Sequence, residues 1–271
     1  MIDKIAARRS ARLAKVIPFT DLCLSLPLLF LHTFDPSLRS RWIRVLSMSL
    51  FCLTHGSTQT ASGWDLLVPE LSRFGHKSVR MDLPADQPHA SATRYAESIA
   101  EAIPKDSDNV IVVAHSASGL FLPLVPFYRK VRRLVFLAAV IPQLGRSFLE
   151  QVGAEPDILN PEWIGKDPTK DEQVARRFLF HDCSPHVGDW AITTLRLMYA
   201  RRAIVEVFPA PEWPAVPSSY IVCSEDRTIQ PRWSRRAARE RLGVDAIELP
   251  GGHCPHVSRP GELAEALVRL A

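Results

Sequence analysis

From residue 47 onward the apolar residues fall into two alternating patterns. Short, unbroken, largely β-branched runs are followed by longer stretches in which apolar positions recur every three or four residues. The first pattern suits a strand buried on both faces, the second a helix with one buried face. Leu50-Phe51-Cys52-Leu53-Thr54 predicts a strand. Residues 64–74 predict a helix with Trp64, Leu67, Val68 and Leu71 inward and Gly75 as its C′ residue. A strand over 77–83 and a helix over 92–103 (Tyr95, Ile99, Ala102) repeat the unit. A strand at 110–113, an apolar helix over 118–128 and a strand over 131–139 follow. Further on, a strand at 218–223, an Arg-rich helix over 231–242, a strand at 246–249 and a closing helix over 261–270 resume the alternation.

Such alternation implies right-handed crossovers and a mostly parallel sheet with helices on both faces, an α/β fold. Residues 142–214 interrupt it, being rich in Pro and aromatic residues. Helices are expected there over 172–180 and 190–202, and only 203–208 reads as a short strand. A small helical lid over the sheet's carboxyl edge would look like this. The expected organisation is one α/β domain over 47–271 with a lid insertion at about 142–214.

Residues 1–46 stand apart. A basic start (Lys4, Arg8, Arg9, Arg12, Lys15) precedes the apolar run 22–31. A signal peptide is one reading. Asp21, Pro27 and the lack of a small-x-small cleavage site speak for the other, an appended and poorly packed segment. A working start at Met48, where the regular pattern begins, is a third. The run is shorter than the roughly 20 residues a spanning helix needs, so stable membrane insertion is not expected.

Composition narrows the classes further. The 271 residues are 46% hydrophobic and 23% charged, which suits one sizeable globular domain. The net charge of +4 is small and concentrated in the first fifteen residues, which does not suit a nucleic-acid partner. The five cysteines (Cys23, Cys52, Cys183, Cys223, Cys254) are scattered and form no C-x-x-C pair. They predict no disulfide framework and no metal site, a reducing cytoplasmic setting, and core roles for Cys52 and Cys223. A monomer or homodimer without cofactor is expected.

The chemistry centres on Asn109-Val110-Ile111-Val112-Val113-Ala114-His115-Ser116-Ala117-Ser118-Gly119, a buried strand turning through small residues. A nucleophile elbow needs small residues two before and two after the nucleophile. Ala114 and Ser118 meet that need around Ser116, whereas Leu120 fails it around Ser118. The competing reading is a serine that merely caps a turn. A serine hydroxyl needs a base. His253, on the Pro250-Gly251-Gly252-His253 loop after the last strand, is the candidate; His256 is expected at the pocket rim or surface. His115 must point away from Ser116, and His181 and His186 are expected at the surface or in lid packing. The base needs an acid, and Asp226 follows the strand at 218–223, with Glu225 as the fallback. The order Ser116, Asp226, His253 is a known order for this geometry. Ala117, at a helix start where the dipole favours negative charge, and Ser57, on the turn His55-Gly56-Ser57-Thr58, are the candidate oxyanion donors.

On these motifs the chain from about residue 48 resembles the α/β-hydrolase superfamily. It is most similar there to small-lid esterases, a group that includes plant methylesterases, hydroxynitrile lyases and their bacterial relatives. The motifs are His55-Gly56 with Trp64, Asp82-Leu83-Pro84, His115-Ser116-Ala117-Ser118-Gly119, Ser224-Glu225-Asp226-Arg227, and Gly252-His253. Ala114 and Ser118 stand where the family usually has elbow glycines. The expected activity is hydrolysis of a small or medium carboxylic ester. The apolar residues Phe178, Leu179, Phe180, Trp190, Leu195 and Leu197 suggest an uncharged acyl or alcohol group. The same triad could instead run lyase, acyl-transfer or cyclisation chemistry, or the protein could be a non-catalytic binder.

Overall fold

The computed structural model describes residues 48–84, 86–198 and 200–271. The readings of residues 1–46 lie outside the described residues. Among the described residues the strands are β1 (Leu50–Thr54), β2 (Lys77–Met81), β3 (Val110–His115), β4 (Arg133–Leu137), β5 (Ser218–Cys223) and β6 (Ile247–Leu249). They form one sheet in the order β2-β1-β3-β4-β5-β6, and every neighbouring pair is parallel. The fold is therefore α/β with helices around a parallel sheet, in line with the alternation in the sequence.

The apolar runs explain the layering. Successive strand residues face opposite sides. Cys52, Val110, Val112, Ala114, Leu134, Phe136, Tyr220 and Val222 pack one face. Phe51, Leu53, Ile111, Val113, Val135, Leu137 and Ile221 pack the other, against Leu67, Leu71, Leu263 and Leu267 from two helices and Trp64 from a 3₁₀ turn. Every residue of β3 is buried, which is why its run contains no alternation. Cys52 and Cys223 are buried core residues, as expected. Gly75 ends its helix at φ 83°.

Several elements differ from the expected ones, each for an identifiable reason. Residues 116–127 form two 3₁₀ turns, Ser116–Leu120 and Leu122–Phe127, in place of one apolar helix. Pro123 and Pro126 withhold the N–H groups that an α-helix would use. The strand expected at 203–208 is overturned, because Arg201–Val205 is a helix. The sheet leaves no gap for it between β4 and β5, which pair directly. A helical turn satisfies its own backbone where a lone strand would not. The helix expected over 190–202 starts earlier, at Pro185–Thr193, with Pro185 at N1 where a missing N–H costs nothing. Glu172–Val174 and Pro231–Ala237 each continue as a π-turn, Ala175–Leu179 and Ala238–Leu242. The helix Phe148–Ala154 is not among the expected elements, although its capping box is plain in the sequence: Ser147 and Glu150 cap each other's backbone N–H.

His256 corrects a further expectation. It is 1% exposed rather than at a rim. It stacks on Trp64, ring centroids 4.3 Å apart, and its Nε2 accepts from the Gln59 amide at 3.2 Å. His115 lies beside it, centroids 4.7 Å apart. His55 is buried too, its Nε2 accepting from Leu83 N at 2.9 Å. His55 and His115 thus stand at the carboxyl ends of β1 and β3, with His256 packed against His115. Burial, the largest cause in each case, pushes His55 and His115 below the ordinary histidine range and His256 down to about 3.

This packing can be tested at two points. A Cβ at Gly119 would stand 2.1 Å from Val140 O and 3.0 Å from Ala139 Cβ. Gly119→Ala is expected to lower unfolding stability by about 1–3 kcal/mol, read from the urea midpoint; an unchanged midpoint would show that the turn yields. The buried histidines make stability depend on pH. Folded, they stay neutral below the pH at which the unfolded chain protonates them, near 6.5. Their contribution is present above pH 6.5 and is lost as pH falls from there; for His256 the loss continues to about 3. Within that window His256 adds a slope of up to ~1.4 kcal/mol per pH unit. His256→Phe, which keeps a ring against Trp64, is expected to flatten the stability profile between pH 6.5 and 4.5; an unaltered slope would refute the assignment.

Candidate active site

The strand order places β1 and β3 side by side with β2 outside them, so the connections leaving β1 and β3 diverge. Open α/β sheets bind ligands in the crevice such a reversal leaves at the carboxyl edge. Gly56-Ser57 leaves β1 there and Ser116 leaves β3. Ser116 adopts φ 57°, a left-handed conformation that non-glycine residues rarely hold. Its carbonyl accepts from Val140 N at 3.1 Å, which pins the turn to the chain after β4. A Cβ on Gly56 would lie 2.9 Å from Ser116 Cβ and 3.4 Å from its Oγ, so only glycine lets the two turns approach.

The two candidate serines separate clearly. Ser118 is fully buried, and its hydroxyl donates to His115 O at 2.8 Å and contacts Thr54 Oγ1 at 3.1 Å. Ser116 and Ala117 are only partly buried. The positions two before and two after Ser116 hold no glycine, for two reasons. Ala114 is fully buried within β3, and Ser118 sits where its hydroxyl finds partners. The closest backbone approach falls one residue later, at Gly119. Ala117 lies at the start of a five-residue 3₁₀ turn, so what it offers is an N–H without an intrahelical partner rather than the dipole of a long helix.

Asp226 and His253 meet. His253 Nδ1 lies 2.8 Å from Asp226 Oδ2, with the two side chains 3% and 2% exposed. The other carboxylate oxygen accepts from Thr228 N at 2.7 Å and Ile229 N at 3.1 Å. Thr228 completes the arrangement, its hydroxyl donating to Asp226 Oδ1 at 3.0 Å and standing 2.6 Å from His253 Nδ1. This holds the proton on Nδ1 and leaves Nε2 as a proton acceptor. Thr228 is not among the residues expected at the site; the Asp-x-Thr spacing, which favours an Asx turn, is the signal that points to it. Glu225, the fallback acid, is exposed. His115 Nε2 donates to His253 O at 2.8 Å, so the residue before Ser116 points away from it and fixes the backbone of His253.

The β4–β5 connection touches every one of these turns through hydrogen bonds. Met198 N donates to Ser57 O at 2.7 Å and Arg196 N to Thr58 O at 3.2 Å. Asn160 N donates to Thr228 O at 2.8 Å, and Gln230 N to Ile158 O at 3.0 Å. Gly252 N, just before His253, donates to Asp182 Oδ2 at 2.9 Å. Some of its apolar residues serve this docking. Leu179 and Phe180 pack with Cys254 and Val257, and Trp190 and Leu195 lie at the edge of that cluster. Phe178 meets Trp163, ring centroids 5.5 Å apart. His181 reaches Glu225 O at 3.1 Å, and His186 lies at the surface beside Ser184. Among the described residues no group of three or more His, Cys, Asp or Glu could hold a metal ion. Among them, too, no helix is long and apolar enough to cross a membrane.

Known proteins share this architecture. The chain is 29% identical over 252 residues to salicylic acid-binding protein 2 of Nicotiana tabacum, covering 82% of this chain and 96% of that one. It is 23% identical to methylesterase 7 of Arabidopsis thaliana, covering 82% and 95%. The crystal structure of polyneuridine aldehyde esterase superposes with a TM-score of 0.68 at 23% identity, covering 82% of this chain and 99% of that one. Residues 50–266 match the alpha/beta hydrolase family. A match of that extent, on a six-stranded parallel sheet of the same architecture, makes this chain a member of the alpha/beta hydrolase family.

Proposed function

We propose that the protein is a serine carboxylic ester hydrolase acting on a small or medium, largely apolar ester, with Ser116 as nucleophile, His253 as base and Asp226 as orienting acid. The observation that carries this reading is the buried 2.8 Å contact between Asp226 and His253 at the sheet edge from which Ser116 emerges. A paired, buried His–Asp has a fixed tautomer and a stabilised imidazolium, the two properties a general base beside a serine requires. Relatives named methylesterase and esterase support the same reaction class.

In this reading Ser116 Oγ attacks the ester carbonyl while His253 Nε2 takes its proton. The oxyanion accepts hydrogen bonds from the Ser57 and Ala117 N–H groups. His253 then returns the proton to the leaving alcohol, and water, activated by the same base, releases the acid from the acyl-Ser116 intermediate. No cofactor enters these steps. The β4–β5 connection acts as the lid and shapes the substrate pocket. Its buried Met198, tied by its N–H to Ser57 O, brings apolar character next to the oxyanion turn and favours an uncharged group there.

The test is hydrolysis of p-nitrophenyl esters of graded acyl length. Wild type is expected to turn over the short and medium members and to be labelled stoichiometrically at Ser116 by a fluorophosphonate. Ser116→Ala should remove both, and Asp226→Asn should lower kcat by on the order of 10⁴-fold. Activity surviving in Ser116→Ala would overturn the nucleophile. Labelling without turnover of any ester would point to lyase or transfer chemistry, and an unlabelled, inactive protein to a binder.

A further inference from the structure

We propose that Asp182, from the β4–β5 connection, is a positioning residue that sets the orientation of His253, and that its neighbour His181 ties the same connection to the acid turn. This role presupposes that His253 is the general base. Asp182 lies 71 positions before His253 in sequence, and neither the motifs nor the reaction steps account for it.

The geometry is specific to the base loop. Asp182 Oδ2 accepts the Gly252 N–H at 2.9 Å, one peptide before His253. The same oxygen stands 3.8 Å from Arg259 Nε, six residues beyond His253. One carboxylate therefore bonds the start of the segment that carries the base and lies within ion-pair reach of its end. Its side chain is only 9% exposed, and a hydrogen bond to an ionised acceptor is roughly twice as strong as a neutral one. The two glycines of the loop make sense on this contact. A Cβ on Gly251 would lie 2.5 Å from Asp182 Oδ2, and one on Gly252 would lie 2.7 Å from His181 Nε2 and 2.8 Å from Asp182 Oδ1. The loop is bare so that this dipeptide can seat against it.

His181 completes the tie. Its Nε2–H donates to Glu225 O at 3.1 Å, next to Asp226. Two adjacent residues thus grip the turn that bears the acid and the loop that bears the base. On the opposite side His115 holds the carbonyl of His253. With the Gly252 N–H fixed on one side and the His253 carbonyl on the other, the imidazole has little freedom to turn away from Asp226. A displacement of about 1 Å in a catalytic group can cost on the order of 10²-fold in rate.

The deciding experiment is steady-state hydrolysis of a p-nitrophenyl ester by wild type, Asp182→Ala and Asp182→Asn, with thermal unfolding of each. Asp182→Ala is expected to lower kcat by roughly 10–100-fold with KM changed by less than about threefold. Fluorophosphonate labelling of Ser116 should slow by the same factor. Asp182→Asn, whose amide oxygen can still accept the Gly252 N–H, should recover most of the loss. Asp189→Ala removes another carboxylate of the connection, paired with Arg176, and should leave kcat within about twofold of wild type. An unchanged kcat in Asp182→Ala, or a rise in KM alone, would overturn the role. If Asp182→Ala does not fold, Gly252→Ala decides, since its methyl displaces the dipeptide; full kcat in that variant overturns the proposal. A wild type that neither turns over esters nor labels at Ser116 would overturn the reading of His253 as base. An active wild type with an indifferent Asp182→Ala would overturn only this role.

Discussion

The reversal of strand order between β1 and β3 is the constraint on which the rest of the site depends. Because the chain leaves these neighbouring strands in opposite directions, their carboxyl ends face an open crevice. Both turns that enter it must do so at close range, and the distance between Gly56 and Ser116 leaves no room for a side chain. The left-handed backbone of Ser116, the 3₁₀ turn after it and the bond from its carbonyl to Val140 are consequences of fitting a residue into that corner. The candidate acid and base arrive from β5 and β6, further along the same edge, and the β6 loop bends back across β5 to reach the crevice. That bend is held by Ser224 N to Leu249 O and Glu225 N to Gly251 O, both at 2.9 Å.

The histidines around the crevice show how burial separates roles among identical side chains. His55, His115 and His256 are shielded from water, bonded to backbone or amide groups, and held neutral. Of the four, only His253 has a carboxylate at hydrogen-bond distance. Neutral neighbours do not compete for a proton that passes through His253, and they fill space that water would otherwise occupy. In the proposed reaction, four histidines within one corner therefore act as one base and three structural groups. The division is made by what each ring touches.

The sheet was legible because β3 and its neighbours are buried on both faces, and an unbroken β-branched run of that length suits little besides a strand covered on both sides. Ser116 and Asp226 stood out because each follows such a run, and His253 because it stands on a two-glycine loop after the last strand. What stayed hidden depended on tertiary contact. His256 looks like a polar residue near a helix start; only the Trp64 ring above it and Gln59 beside it make burial tolerable. Residues 201–205 carry β-branched side chains that favour a strand, yet β4 and β5 pair directly and leave no gap between them for another. The prolines at 123 and 126 are visible in the sequence, and their power to break an α-helix outweighs the apolar run around them. Asp182 gives no local signal at all, since its partners are a backbone N–H and an arginine that lie 70 or more residues away.

Among the described residues, two other than glycine hold positive φ: Ser116 at 57° and Ala138 at 42°. They stand at the carboxyl ends of adjacent strands, β3 and β4. Each such conformation costs roughly 1–2 kcal/mol for an L-residue. Tyr220 holds the second corner, its hydroxyl accepting from Ala139 N at 3.0 Å and donating to Ala139 O at 2.7 Å. The sheet edge that carries the candidate nucleophile thus holds backbone strain at two corners. Selection for thermal robustness alone would drift toward glycine at both positions, and at one of them that drift would erase the hydroxyl. Robustness and reactivity pull this corner in opposite directions.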